Sequence, residues 1–123
     1  MLVNFSNHPY DNWEESQKEA AKQYGDIAEY RFPSVDPHAS TEEVAEMAEK
    51  ITKEIVDMKA DAVMCMGEFT LTMAMVKRLQ KNGIKTIAAC AERRVKEDFF
   101  DGILKKTSYF QFVRFREYES LVD

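Results

Sequence analysis

Three short stretches of the chain carry side chains able to do chemistry on a charged ligand: Ser6-Asn7-His8, Gly67-Glu68-Phe69-Thr70 with Thr72 close behind, and Glu92-Arg93-Arg94. The first offers a hydroxyl, an amide and an imidazole in consecutive positions, and an imidazole can take or give a proton near neutral pH. The second follows an apolar run, Ala62 to Met66, and opens a helical pattern. That is the grammar of a strand, a tight turn and a helix N-terminus, whose orphan N–H groups and positive end favour an anion. Glu68 can cap that helix or orient a hydroxyl or a base edge, and Thr70 can act as a cap. The stretch is neither a Walker loop nor G-x-G-x-x-G. The third stretch presents two guanidinium forks suited to clamping phosphate, or a solvated pair flanking Glu92.

Other chemistries lack their signatures. No nucleophile-elbow motif surrounds Ser6, so a Ser6–His8 catalytic pair is not expected. His8, His38, Cys65 and Cys90 show no short metal-ligand spacing, so no metal is expected, and no cofactor motif is present. Arg114 and Arg116 alternate with Val113 and Phe115, as on a half-exposed strand.

The elements that must position these residues can be read from periodicity. Leu2 to Phe5 forms a first strand ending at Ser6-Asn7-His8-Pro9. Asp11 or Asn12, with Glu14 or Glu15, can cap a helix whose inner face is Trp13, Gln17, Ala20, Ala21 and Tyr24. Ile27 to Phe32 reads as a second strand. Ser40-Thr41-Glu42-Glu43 is a capping box for a strongly amphipathic helix through Met58. A third strand, Ala62 to Met66, precedes a helix from about Thr70 to Asn82 that Gly83 stops. Ile84 to Ala89 is a fourth strand ending at Cys90 to Arg94. Val95 to Phe99 and Leu104 to Phe115 then form a hairpin about the Asp101-Gly102 turn. The expected fold is a single α/β domain over residues 1–123, Rossmann-like, with a mainly parallel sheet, flanking helices and a C-terminal β-hairpin. Parallel strands share one carboxyl edge, so the three stretches should gather along one rim, where open α/β sheets bind their ligands.

Composition narrows the partners. A formal net charge of −5 argues against general DNA or RNA binding. Residues 1–62 carry 6 basic and 14 acidic side chains, whereas residues 63–123 carry 11 and 8, so the motif-rich half is the basic one. A small anionic ligand suits that balance. No apolar run approaches the roughly 20 residues of a membrane helix, and no basic segment precedes the N-terminal apolar run as in a signal peptide. Two cysteines in apolar runs read as buried thiols of a cytoplasmic protein.

On these residues the chain resembles a family of small standalone CRISPR-associated proteins of type III systems. The matching pattern is Gly67-Glu68-Phe69, Thr72, Met75-Val76, Gly83, Ala88 and Arg93, continuing through Gly102, Lys105 and Phe110 into Val113-Arg114-Phe115-Arg116 and Tyr118-Glu119. Phe5-Ser6-Asn7-His8 resembles the family's strand-end motif of serine and histidine, with Asn7 as an extra residue between the two. The resemblance implies a CARF-type fold, a homodimer, and cyclic oligoadenylate as ligand. It further implies a ring nuclease that opens cyclic tetra-adenylate without a metal, by attack of a ribose 2′-hydroxyl on the adjacent phosphodiester, and so switches off antiviral signalling. In that setting Arg93 or Arg94 would stabilise phosphate, and His8 or Glu68 would orient the hydroxyl. Ser6, Asn7, Gly67, Phe69, Thr70 and Thr72 would be ligand contacts. The competing expectation is a non-catalytic sensor or sponge for the same messenger, and a generic flavodoxin-like nucleotide domain is a third.

Overall fold

The computed structural model describes residues 1–122. In chain order the elements are β1 (Leu2–Ser6), a 3-10 turn (Tyr10–Asn12), α1 (Glu15–Ala21) with a second 3-10 turn (Lys22–Tyr24) at its end, β2 (Ile27–Glu29), α2 (Thr41–Asp57), β3 (Ala62–Met66), α3 (Phe69–Lys81), β4 (Lys85–Phe100) and β5 (Ile103–Glu117). They build one five-stranded sheet in the order β2-β1-β3-β4-β5, parallel except for the antiparallel β4–β5 pair. No helix among the described residues is long and apolar enough to cross a membrane.

Alternation along the strands divides the core in two. Val3, Phe5, Val63 and Cys65 point to the face covered by α2 and α3, where they meet Val44, Ile51, Ile55, Leu71, Met75 and Leu79. Leu2, Ala62, Met64 and Ile87 point to the other face and pack with Trp13, Ala21 and Phe115. Strands buried on both faces read as continuous apolar runs, which is why β1 and β3 are plain in the sequence. α2 begins with the full capping box: the Ser40 hydroxyl accepts the Glu43 N–H, and the Glu43 side chain accepts the Ser40 N–H.

Three boundaries differ from the sequence reading. Asp11 and Asn12 lie in the 3-10 turn rather than capping α1, and Glu14 precedes that helix without a side-chain cap bond. The cause is Trp13, which is drawn inward, extended in backbone and buried, and so delays the helix. β2 ends at Glu29, where its pairing with β1 stops at Asn4↔Glu29, and Pro33 further on has no N–H to extend a ladder. β4 does not end near Ala89 but runs on to Phe100, paired with β5 throughout. Nothing between Gly83 and Gly102 breaks a strand, and β5 supplies a partner at each step. The result is a two-stranded arm standing out from the body.

A bulge at the base of the arm changes its facing. The register slips between Cys90 and Ala91, so that Ala89 opposes Phe115 while Ala91 opposes Phe112. Phe112 and Phe115 thereby share the α1 face, with ring centroids 5.0 Å apart, and Val113 is left exposed. Simple alternation would have put Val113 with Phe115 instead.

Candidate functional site

The strand order reverses direction between β1 and β3, the point at which an open α/β sheet leaves a crevice at its carboxyl edge. The turn after β1 and the turn after β3 are side by side there, because Ser6 pairs with Met66.

The first turn is held by a buried polar network beneath His8. Asn4, 1% exposed, donates from Nδ2 to the His8 carbonyl at 2.8 Å and to the Glu29 carboxylate at 3.2 and 3.3 Å. The Ser6 hydroxyl donates to Asn4 Oδ1 at 2.6 Å and accepts the His8 N–H at 3.1 Å. Trp13 Nε1 donates to the same His8 carbonyl at 2.9 Å, and the Glu29 carboxylate also accepts the Tyr10 N–H at 2.7 Å. The backbone of His8 is thus fixed from three sides while its imidazole is exposed. Ser6 is buried with its hydroxyl committed to the turn, and Asn7 is exposed beside it.

The second turn has its own cap. Glu68 accepts the Leu71 N–H at 2.8 Å, the Thr70 N–H at 2.9 Å and the Thr70 hydroxyl at 2.7 Å. Those bonds, the Leu71 N–H first and then the Thr70 groups, hold its carboxyl below the usual carboxylate range. The helix N-terminus is therefore satisfied by the chain's own anion, and Glu68 stays ionised. The Thr72 hydroxyl accepts the Gly67 N–H at 3.1 Å, locking the turn to α3. Phe69, by contrast, stands 89% exposed at the rim.

Two cavities meet at Asn7. One, of about 790 Å³, is lined by Asn7, Glu68 and the segment 30–35, which includes Arg31 and Phe32. The other, of about 450 Å³ and more apolar, is lined by Asn7, His8, Trp13, Met66, Phe110 and Phe112 among others. Arg31 is exposed, with no ion pair or side-chain hydrogen bond among the described residues. Its segment is anchored on either side, by the Tyr30 hydroxyl on the Glu54 carboxylate and by Phe32 against Phe5.

The edge thus brings together Asn7, His8, Gly67, Glu68, Phe69 and Thr70, with Ser6 and Thr72 bracing it from beneath. Arg93 and Arg94 stand instead on the arm, on opposite faces and outside both cavities, Arg93 donating to Ser108 at 2.6 Å and Arg94 paired with Glu92. Arg31, Asn4 and Glu29 were not singled out by sequence reasoning. The signal for Arg31 was a lone cation just before Phe32-Pro33, at the carboxyl end of a strand. Among the described residues no three His, Cys, Asp or Glu side chains gather closely enough to hold a metal ion.

The family model described as the uncharacterized protein MJ1673 family matches residues 1–116. Comparison with curated proteins and with solved structures gave no match.

Proposed function

The chain belongs to the uncharacterized protein MJ1673 family, and we propose that it binds a cyclic oligoadenylate, cyclic tetra-adenylate first, along the rim formed by the ends of β1 and β3, and opens the ring without a metal ion. The observation that carries this reading is the convergence of Asn7 and His8 with Gly67-Glu68-Phe69 at the strand-order reversal, beside the unpaired Arg31. The motif resemblance supplies the ligand, and the rim supplies groups of the right kind for it.

In this reading Arg31 faces a phosphate, a role suited to its fork of donors. Phe69 offers an exposed ring on which an adenine can stack. Glu68, ionised and fixed, has acceptor capacity left for a ribose hydroxyl or an adenine amino group. The reaction is attack of a 2′-oxygen on its own phosphodiester. The P–O5′ bond breaks, the 2′-hydroxyl proton passes to His8, and the 5′-oxygen leaves by taking a proton from solvent water, giving a 2′,3′-cyclic phosphate while the exposed His8 returns its proton to solvent. Holding the 2′-oxygen in line and placing a cation at the phosphate are the two main sources of acceleration. Arg93 and Arg94, which line neither cavity, have no part in this step. Opening the messenger would switch off type III CRISPR signalling in the cytoplasm.

A second reading, binding without turnover, is favoured by one observation: the Ser6 hydroxyl and both Glu68 oxygens already serve the chain's own backbone. Incubation with cyclic tetra-adenylate in EDTA, followed by chromatography and mass spectrometry, separates the two. Linear products ending in a cyclic phosphate, lost in His8→Ala and Arg31→Ala, are expected. A ring that co-elutes intact makes the protein a sensor or sponge, and a ring that neither binds nor breaks overturns the proposal.

A further inference from the structure

The arm presents apolar side chains that the chain itself leaves uncovered. Val95, Phe99, Leu104 and Phe110 are 57%, 76%, 44% and 70% exposed, and an isolated two-stranded ribbon is marginally stable in water. The register puts these four on one face. From base to tip its rungs are Ala91/Phe112, Arg93/Phe110, Val95/Ser108, Glu97/Lys106 and Phe99/Leu104. The Arg93–Ser108 hydrogen bond and the Lys106–Glu97 ion pair at 3.5 Å both lie on that face. The opposite face carries Glu92, Arg94, Lys96, Asp98 and Lys105 around Tyr109, is mostly charged along its length, and turns apolar at its last rung, Phe100/Ile103.

We propose that this face is a dimerisation surface, on which the arm of a second copy lies antiparallel about a two-fold axis through Val95. The five rungs are self-complementary about that axis. Val95 meets the partner's Val95. One step out, Arg93 meets the partner's Glu97, and Lys106 lies over the ring of the partner's Phe110, both of them attractive pairings. At the ends, large Phe99 meets the partner's small Ala91, and Leu104 meets the partner's Phe112. An isologous contact makes each pairing off the axis twice. Each tip thereby arrives at the mouth of the partner's apolar cavity, where Trp13, Met66 and Phe112 lie. Slipped by one rung, Arg93 or Glu97 would lie on Val95 without its partner, and slipped by two, Arg93 would meet Arg93 or Glu97 meet Glu97, so charge selects the register.

The size is adequate. Two largely exposed phenylalanines per arm, at roughly 150–250 Å² for a fully buried ring, with Val95, Leu104 and the charged stems, bring the covered surface of two copies to on the order of 1,000 Å². That reaches the threshold of a specific interface. A bilayer is a poorer occupant, because the Glu97–Lys106 rung would have to enter it. Nothing in the pairing depends on a nucleotide.

Sedimentation of the full chain tests it. The wild type is expected to sediment as a dimer at micromolar concentration. Val95→Arg, which sets two cations on the axis, should give a monomer with unchanged circular dichroism. Arg93→Glu and Glu97→Arg should each weaken the dimer about tenfold or more, and the double exchange should restore it. A monomeric wild type, a Val95→Arg dimer of wild-type strength, or a double exchange that stays weak each overturns the proposal. So does a monomer that floats with phosphatidylcholine vesicles, since the arm would then be a membrane-binding element.

Discussion

The ring of Phe32 covers Gly67 so closely that a Cβ at position 67 would stand 2.4 Å from its Cε2 and Cζ atoms. Phe32 is buried and its ring centroid lies 4.7 Å from that of Phe5, which holds the ring against the turn. The glycine serves close approach, not an unusual backbone angle. Through this contact the turn after β3 and the segment carrying Arg31 are fitted to one another.

Gly67→Ala should therefore act as overpacking, destabilising the chain by about 1–3 kcal/mol. It should also displace Arg31 and weaken ligand binding. Adding Phe32→Ala makes room for the new methyl, so the double variant should lose less than the sum of the single losses. Urea unfolding of the four proteins measures this; a Gly67→Ala midpoint equal to wild type would show that the contact is not tight.

Glu68 should stabilise α3 in a pH-dependent way. Glu68→Ala removes the cap and is expected to cost about 1 kcal/mol at pH 7. The folded-state carboxyl titrates below its ordinary value, so its contribution is present above the unfolded value near 4.5 and is lost as pH falls through the lower folded value. Wild type and variant should differ at pH 7 and draw together as pH falls below 4.5. A gap that stays constant through that fall would mean that the charge is not what matters.

The network under His8 predicts an asymmetric response to one atom. Asn4→Asp replaces a buried donor by an acceptor facing the His8 carbonyl and the Glu29 carboxylate. At pH 7 this leaves an unpaired buried charge and should cost about 3 kcal/mol or more. Burial and the neighbouring carboxylate raise the pKa of the new carboxyl in the folded state, so the loss should shrink as pH falls toward 4. Thermal melts at both pH values, with Asn4→Ala as the uncharged control, decide it.

Much of this site was legible because local signals and tertiary demands agree in it. β3, Ala62–Met66, has its boundaries as read, since a run buried on both faces ends where Gly67 must turn. α3 begins and ends within a residue of the positions set by Glu68 and Gly83. What escaped was set by contacts between residues distant in sequence. Arg31 joins the rim only because the Phe32–Gly67 contact brings its segment beside Glu68. Asn4, polar in an apolar strand, gains its meaning from Glu29 and His8. The arm escaped because a two-stranded ribbon and a strand followed by a separate hairpin share one pattern until the register of β5 along β4 is known.

The buried thiol and two half-buried phenols predict how the fold yields to alkali. Burial pushes the Cys65 thiol up to about 12. Burial, then the bond to Glu54, pushes Tyr30 up to about 12. Tyr118, whose hydroxyl donates to the Cys65 carbonyl at 2.6 Å, is raised as well, chiefly by burial. A raised folded-state value stabilises below the unfolded value, and that contribution is lost as pH climbs through the folded one. Stability should accordingly fall from about pH 9 toward 12, and Cys65→Ala should flatten the decline over its early part. A thiol reagent at pH 8 should meet the same barrier: it should modify the partly exposed Cys90 first and Cys65 only on unfolding. Mass spectrometry of the native, labelled chain reads this directly, and rapid double labelling would show that β3 is less sheltered than its packing requires.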